Sequence, residues 1–238
     1  MLVKKTIEYK DHDVLLEGYY VFDDAIKNKR PLVMVNHDWT GRNEFANQKA
    51  EKLAELGYVG FAVDMFGKGK LGKTNEEKME LIQPLMADRN LLQRRMLAAF
   101  NTAKQLEQVD QNKTAAIGFC FGGLCVLDLA RSGADVTGVV SFHGLLNGLP
   151  EKKDTEIKAK ILALHGFDDP MVPPDLVLAF EKEMTAAKAD WQLHVFGNTM
   201  HAFTNPLAND PNLGTVYSAC ADKRSWIMMK DFLQEIFT

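Results

Sequence analysis

An α/β architecture, with a mostly parallel sheet covered by helices on both faces, is predicted by three features of the sequence. Short β-branched or aromatic runs alternate with helix-length amphipathic patterns. The alternation continues without an internal repeat or a Pro/Ser-rich linker. One run ends in a glycine-rich turn that opens an almost wholly apolar helix, as expected beside central strands.

The predicted strands are Val14–Phe22, Leu32–Asn36, Val59–Val63, Ala115–Phe119, Val136–Phe142, Ile161–Leu164 and Trp191–Phe196. Between them the spacing predicts helices at Glu44–Leu56, Lys78–Gln108, Phe121–Arg131, Asp175–Ala187 and Asp222–Ile236. In the last of these Trp226, Met229, Phe232, Leu233 and Ile236 recur at three- and four-residue intervals, an apolar stripe that would pack onto the sheet. Phe121–Ala130 is interrupted only by Asp128.

The length of 238 residues fits one α/β domain over 1–238. Hydrophobic residues make up 46% and charged residues 25%, which argues against disorder, a coiled coil or a membrane bundle. A formal net charge of −4 with interspersed signs offers no basic face for nucleic acid and no polybasic membrane anchor. Met1–Glu17 is charged throughout, so a signal peptide or membrane span is not expected and a cytoplasmic location is. Cys120, Cys125 and Cys220 form neither a disulfide framework nor a zinc-type cluster; Cys125 and Cys220 read as core-filling thiols.

The strand ending at Phe119 runs into Gly118-Phe119-Cys120-Phe121-Gly122-Gly123, a G-x-C-x-G-G turn with the pattern of a nucleophile elbow that carries sulfur instead of a serine oxygen. A strained strand-to-helix turn brings the positions two residues either side of the nucleophile close together, and glycine removes the collision. The helix N-terminus favours a thiolate and a developing oxyanion. A small buried cysteine beside a nucleotide-type glycine turn is the competing account, but the lysine of a phosphate loop is missing.

A nucleophilic cysteine needs a base, and the base an orienting acid, downstream at strand ends. The strand Ile161–Leu164 leads into His165-Gly166-Phe167-Asp168-Asp169-Pro170, and Trp191–Phe196 leads to His201. Either Asp168 or Asp169 can serve as the acid on this reading. His12 and His194 are expected to be exposed, while His143 and His165, each before a glycine, read as structural. The loop His37–Asn43 offers a second oxyanion N–H beside that of Phe121, or is an ordinary strand-to-helix turn.

With G-F-C-F-G-G, H-G-F-D-D-P-M-V-P-P and M-H-A-F at these separations, the chain resembles the dienelactone hydrolase family of α/β-hydrolases over nearly its whole length. The resemblance implies an α/β-hydrolase fold without a large lid, Cys120 as nucleophile, Asp169 as triad acid and His201 as base. It implies no cofactor and no metal, a small ester or lactone as substrate, and a monomer. Where the dienelactone enzymes place a glutamate that interacts with the resting thiol, this chain has Asp38. Where they hold a substrate carboxylate with an arginine four residues beyond the histidine, it has Asn205, which shifts the expectation to neutral esters. Trp39 is the expected second oxyanion donor. Two rival readings are a non-catalytic α/β-hydrolase scaffold that binds a ligand or protein, and a Cys120–Cys125 redox pair. The five-residue helical spacing disfavours the latter, because about 500° of rotation puts the two thiols on different faces.

Overall fold

The computed structural model describes residues 1–151 and 155–238. The chain forms two compact units, residues 1–117 and 118–238. Eight strands make one sheet in the order β1-β2-β4-β3-β5-β6-β7-β8.

The first unit holds β1 (Leu2–Asp11), β2 (Val14–Asp23), β3 (Arg30–Asn36), α1 (Glu44–Glu55), β4 (Val59–Ala62), α2 (Asn75–Ala87), α3 (Arg89–Lys104) and most of β5 (Val109–Phe119). β2 runs antiparallel to β1 and to β4, whereas β3 and β4 are parallel. β3 and β4 are almost entirely buried, which is why they read as unbroken apolar runs. The Asn43 side chain caps α1 by accepting from Ala46 N–H, and Ala46, Ala50, Leu53 and Ala54 form its buried stripe. β1 lay outside the predicted strands because its charged residues sit on an exposed hairpin and mask the alternation.

The single helix predicted over Lys78–Gln108 is in fact two. Asp88 is extended, with φ −117° and ψ 94°, and its Oδ1 accepts from the N–H groups of Asn90 and Leu91, both at 3.0 Å. An N-cap inside a continuous apolar pattern restarts the helix there. The start of α2 lies upstream of Lys78 because Thr74 and Glu77 form a capping box.

The second unit carries the end of β5, then α4 (Phe121–Arg131), β6 (Gly138–Phe142), β7 (Lys160–Gly166), α5 (Pro174–Ala186), β8 (Trp191–Phe196), a two-residue hairpin β9 (Asn209–Asp210) and β10 (Thr215–Val216), and α6 (Ala219–Phe237). β6, β7 and β8 are parallel. α6 packs on β6 and β7 and buries Met229, Phe232, Leu233, Ile236 and Phe237. Trp226, expected on that stripe, is half-buried. Cys125 is buried as expected, but Cys220 is exposed in the first turn of α6, which corrects its core-filling reading. Among the described residues no helix is long and apolar enough to cross a membrane.

Every residue of α4 is buried, Asp128 and Arg131 included. Arg131 Nη1 donates to Asp128 Oδ1 at 3.1 Å, and its Nε and Nη2 form a fork onto Glu183 at 2.8 and 2.7 Å. A buried ion pair adds little net stability, but removing one partner strands the other. Arg131→Met is therefore expected to cost about 3–5 kcal/mol by leaving Asp128 uncompensated. Urea unfolding checks this: the midpoint should fall, and an unchanged midpoint refutes it.

Candidate active site

β5 delivers the chain to Cys120, which is half-buried at the N-cap of α4. The backbone there has φ 55° and ψ −118°, a conformation that costs an L-residue about 1–3 kcal/mol and is kept only where the surroundings impose it. Close approach supplies the imposition: a Cβ on Gly118 would lie 2.0 Å from the carbonyl oxygen of Gly122. Gly118 thus allows the turn, and Gly123 N–H donates to Cys120 O at 2.9 Å to close the first turn of α4. Cys120 N–H donates to Phe142 O at 3.1 Å and to His143 Nδ1 at 3.2 Å.

The structure brings His201 and Asp169 together. His201 Nδ1 lies 2.6 Å from Asp169 Oδ2, with both side chains buried, and Asp169 Oδ1 accepts from Met171 N–H at 2.8 Å. Asp168 is exposed and offers its backbone N–H to Thr199 O at 3.0 Å. The β9–β10 hairpin holds His201 on both sides: its N–H donates to Gly214 O at 2.9 Å and its carbonyl accepts from Val216 N–H at 3.0 Å. Two short strands with no alternating pattern gave no sign of this clamp in the sequence.

His201 Nε2 is buried and makes no hydrogen bond of standard geometry. Its polar neighbour is the Cys120 thiol. Burial alone would push the imidazole pKa down, but the Cys120 charge and hydrogen bond, with Asp169, outweigh it and raise it to about 10. His165 is also buried, with Nδ1 lacking a partner, and burial lowers its pKa despite the opposing charge of Asp169.

In the first unit, Asp38 and Trp39 follow β3. Asp38 Oδ1 accepts from Thr40 N–H at 2.8 Å, and Trp39 is half-buried with Lys78 Nζ 5.0 Å from its ring centroid. His37 is neutral, because burial lowers its pKa, while Nδ1 donates to Asp38 O at 2.5 Å and Nε2 accepts from Met65 N–H at 3.2 Å. In the second unit, Asn205 Oδ1 accepts from Leu207 N–H at 3.0 Å. Phe121 is the first residue of α4, where N–H groups point out of the helix end. His143, read from the sequence as structural, is the residue whose contact with Cys120 was missed.

A mixed, mostly parallel eight-stranded sheet with helices, and a cysteine at the strand-to-helix turn, define an α/β-hydrolase fold. Residues 16–237 match the Dienelactone hydrolase family, and the chain belongs to it. It is 36% identical, with a TM-score of 0.94, to the crystal structure of a dienelactone hydrolase-like promiscuous phosphotriesterase from metagenomic libraries, with 100% of this chain and 99% of that one aligned. An uncharacterized protein of Caenorhabditis elegans is 40% identical over 64% of this chain and 99% of its own length. A probable 2-oxo-3-(5-oxofuran-2-ylidene)propanoate lactonase of Bradyrhizobium is 26% identical over 77% of each chain.

The raised pKa of His201 is also a statement about stability. The folded protein keeps this proton up to about 10 while the unfolded chain releases it near 6.5. Its contribution is therefore complete below about pH 6.5 and is lost as pH rises through the folded value. Thermal unfolding of wild type and His201→Gln across pH 6 to 10.5 should show the wild-type advantage shrinking with rising pH. A constant or growing difference would contradict the ion pairing.

Proposed function

We propose that the protein is a single-domain hydrolase of small carboxylic esters or lactones that works through a thioester on Cys120. The reading is carried by the buried His201–Asp169 hydrogen bond of 2.6 Å, which leaves Nε2 as the ring atom for the Cys120 thiol. Asp169 fixes the tautomer and stabilises imidazolium, the role of the acid in triads generally. The thiolate attacks the carbonyl carbon and a C–S bond forms. The oxyanion is held by Phe121 N–H at the α4 terminus. As the C–O bond breaks, the imidazolium of His201 gives its proton to the leaving alkoxide. His201 then takes a proton from water, whose oxygen attacks the thioester, and release of the acid restores the thiolate–imidazolium pair.

Two observations support a neutral substrate. The stretches directly after the strand ends, 143–150, 166–173 and 197–217, contain no lysine or arginine and carry Asp168, Asp169 and Asp210; Lys152, Lys153 and Lys158 come later in the connection between β6 and β7. In the first unit Arg42 donates to Glu17 at 2.6 Å, and Arg94 and Arg95 share Asp11, so each of these arginines is already committed to a carboxylate. A substrate carboxylate would ordinarily be held by an uncommitted, often bidentate, arginine. The solved relative's description as a promiscuous phosphotriesterase supports a second neutral class, phosphotriesters, as a side activity of the same thiol.

Three measurements test this. An ester and lactone screen should show activity that Cys120→Ala abolishes, and activity retained in Cys120→Ala would overturn the nucleophile. Asp169→Asn should lower kcat by roughly a hundredfold or more while Asp168→Asn, at an exposed position, leaves it nearly intact; the reverse ranking reassigns the acid. Neutral short-chain esters should have the higher kcat/KM, and Asn205→Arg should move the ratio towards anionic lactones by roughly ten- to a hundredfold, the value of one charged contact of about 1.5–3 kcal/mol. Asn205→Ala separates this from loss of the Leu207 turn. A wild-type preference for the anion would refute the substrate argument.

A further inference from the structure

The end of β6 carries a buried histidine in a backbone conformation that histidine seldom adopts. His143 has φ 38° and is 2% exposed, and its own N–H donates to Leu164 O at 2.8 Å, the ladder of β7. Strain of this kind, about 1–3 kcal/mol, persists only where neighbouring structure over-determines it and concentrates at functional sites. The neighbouring structure is visible. A Cβ on Gly144 would sit 2.8 Å from Gly123 Cα and 2.1 Å from Ser141 Oγ, so the two glycines let the turn after β6 lie directly against the first turn of α4. That approach is what puts the His143 ring against the Cys120 backbone.

The hydrogen bonds fix the ring's chemistry. Cys120 N–H is a donor, so His143 Nδ1 at 3.2 Å must present its lone pair. The proton of the neutral ring then sits on Nε2 and is donated to Thr204 Oγ1 at 2.7 Å. Thr204, itself 1% exposed, is three residues beyond His201 in the same loop. The ring also meets His201 edge-on, with centroids 5.2 Å apart, and Phe203 at 4.9 Å. One imidazole thus ties the backbone of the proposed nucleophile to the loop that carries the proposed base.

We infer that His143 is a positioning residue for acyl transfer: through Cys120 N–H on one side and Thr204 on the other, it sets the placement of the thiol relative to the His201 ring. The inference rests on the reading of Cys120 and His201 as nucleophile and base. A displacement of the order of 1 Å between reacting groups costs about a hundredfold in rate. His143 acts through the Cys120 backbone and the loop that carries His201, so its effect falls on kcat rather than on substrate binding.

The test uses His143→Phe, which keeps the packing but loses both hydrogen bonds, Thr204→Val, which removes only the hydroxyl, their double mutant, and His143→Asn. The Asn amide oxygen can take the place of Nδ1, but it cannot reach Thr204. The readouts are kcat and KM for p-nitrophenyl acetate, the rate of Cys120 alkylation by iodoacetamide, and the urea midpoint. His143→Phe should lower kcat at least about tenfold with KM nearly unchanged and slow alkylation. His143→Asn should recover part of the loss, and the double mutant should be no slower than His143→Phe, since the two side chains act as one unit. A His143→Phe enzyme with wild-type kcat, or losses that simply multiply in the double mutant, would overturn the inference. If His143→Phe does not fold, as the urea midpoint reports, Thr204→Val and His143→Asn decide it: wild-type kcat in both refutes it. A wild type without Cys120-dependent hydrolysis sinks the acyl-transfer reading instead, and the alkylation rates still test the positioning.

Discussion

The strained backbone at Cys120 is the constraint on which the second unit depends. A positive φ at a cysteine is unfavourable by about 1–3 kcal/mol, and the turn holds because Gly118 permits an approach to the backbone of residue 122 closer than any Cβ allows. Three hydrogen bonds then lock it: Cys120 N–H to Phe142 O and to His143, and Gly123 N–H to Cys120 O. Each uses a main-chain N–H of Cys120 or of the helix it opens, and one of them ends on the His143 imidazole, so main-chain geometry and that side chain together hold the Cys120 backbone. α4 can accordingly be buried on every face, because its N-terminal end is committed to the site and its C-terminal end to the Arg131 pairs.

Around this turn lie three buried histidines in different electrostatic states. His143 is neutral with its proton on Nε2, as its two partners require. His165 is driven towards neutrality by burial, with Asp169 opposing and His201 reinforcing that shift. His201 alone is held towards the imidazolium, although it is as deeply buried as the others. The difference is the partner: a carboxylate on Nδ1 and a thiol as its other polar neighbour. The His143 and His201 rings, with centroids 5.2 Å apart, would repel at low dielectric if both were charged, so a neutral His143 favours charge on His201.

What was legible in the sequence follows from how local the signal is. The boundaries of α4 were readable to the residue because glycines and an apolar run mark them on the chain itself. Asp169 and His201 were readable as loop residues after strands, and the structure hydrogen-bonds the pair, with Asp168 left in solvent. β1 was missed because its alternation is carried by charged residues on an exposed hairpin, and the break at Asp88 because a cap can interrupt a helix without interrupting its apolar period. His143 was placed correctly at a strand end before a glycine, yet its contacts were invisible. They join residues 23 and 61 positions away, and one of them is a main-chain N–H that carries no mark in the sequence.

The choice of sulfur has a consequence for the reaction class. In the proposed mechanism the sulfur attacks as a thiolate paired with an imidazolium, so no proton has to be abstracted at the moment of attack, and a helix N-terminus favours the same charge. The pair is, however, reluctant to reprotonate a poor leaving group, and a thiolate leaves a tetrahedral intermediate more readily than an amide nitrogen does. Partitioning therefore favours substrates whose alkoxide departs easily, which is a property of activated esters and enol lactones. The proposed route through a Cys120 thioester and the proposed neutral acyl group point the same way, towards neutral esters with a good leaving group. Together they narrow the proposed chemistry more than the fold does, since the same sheet supports many unrelated reactions.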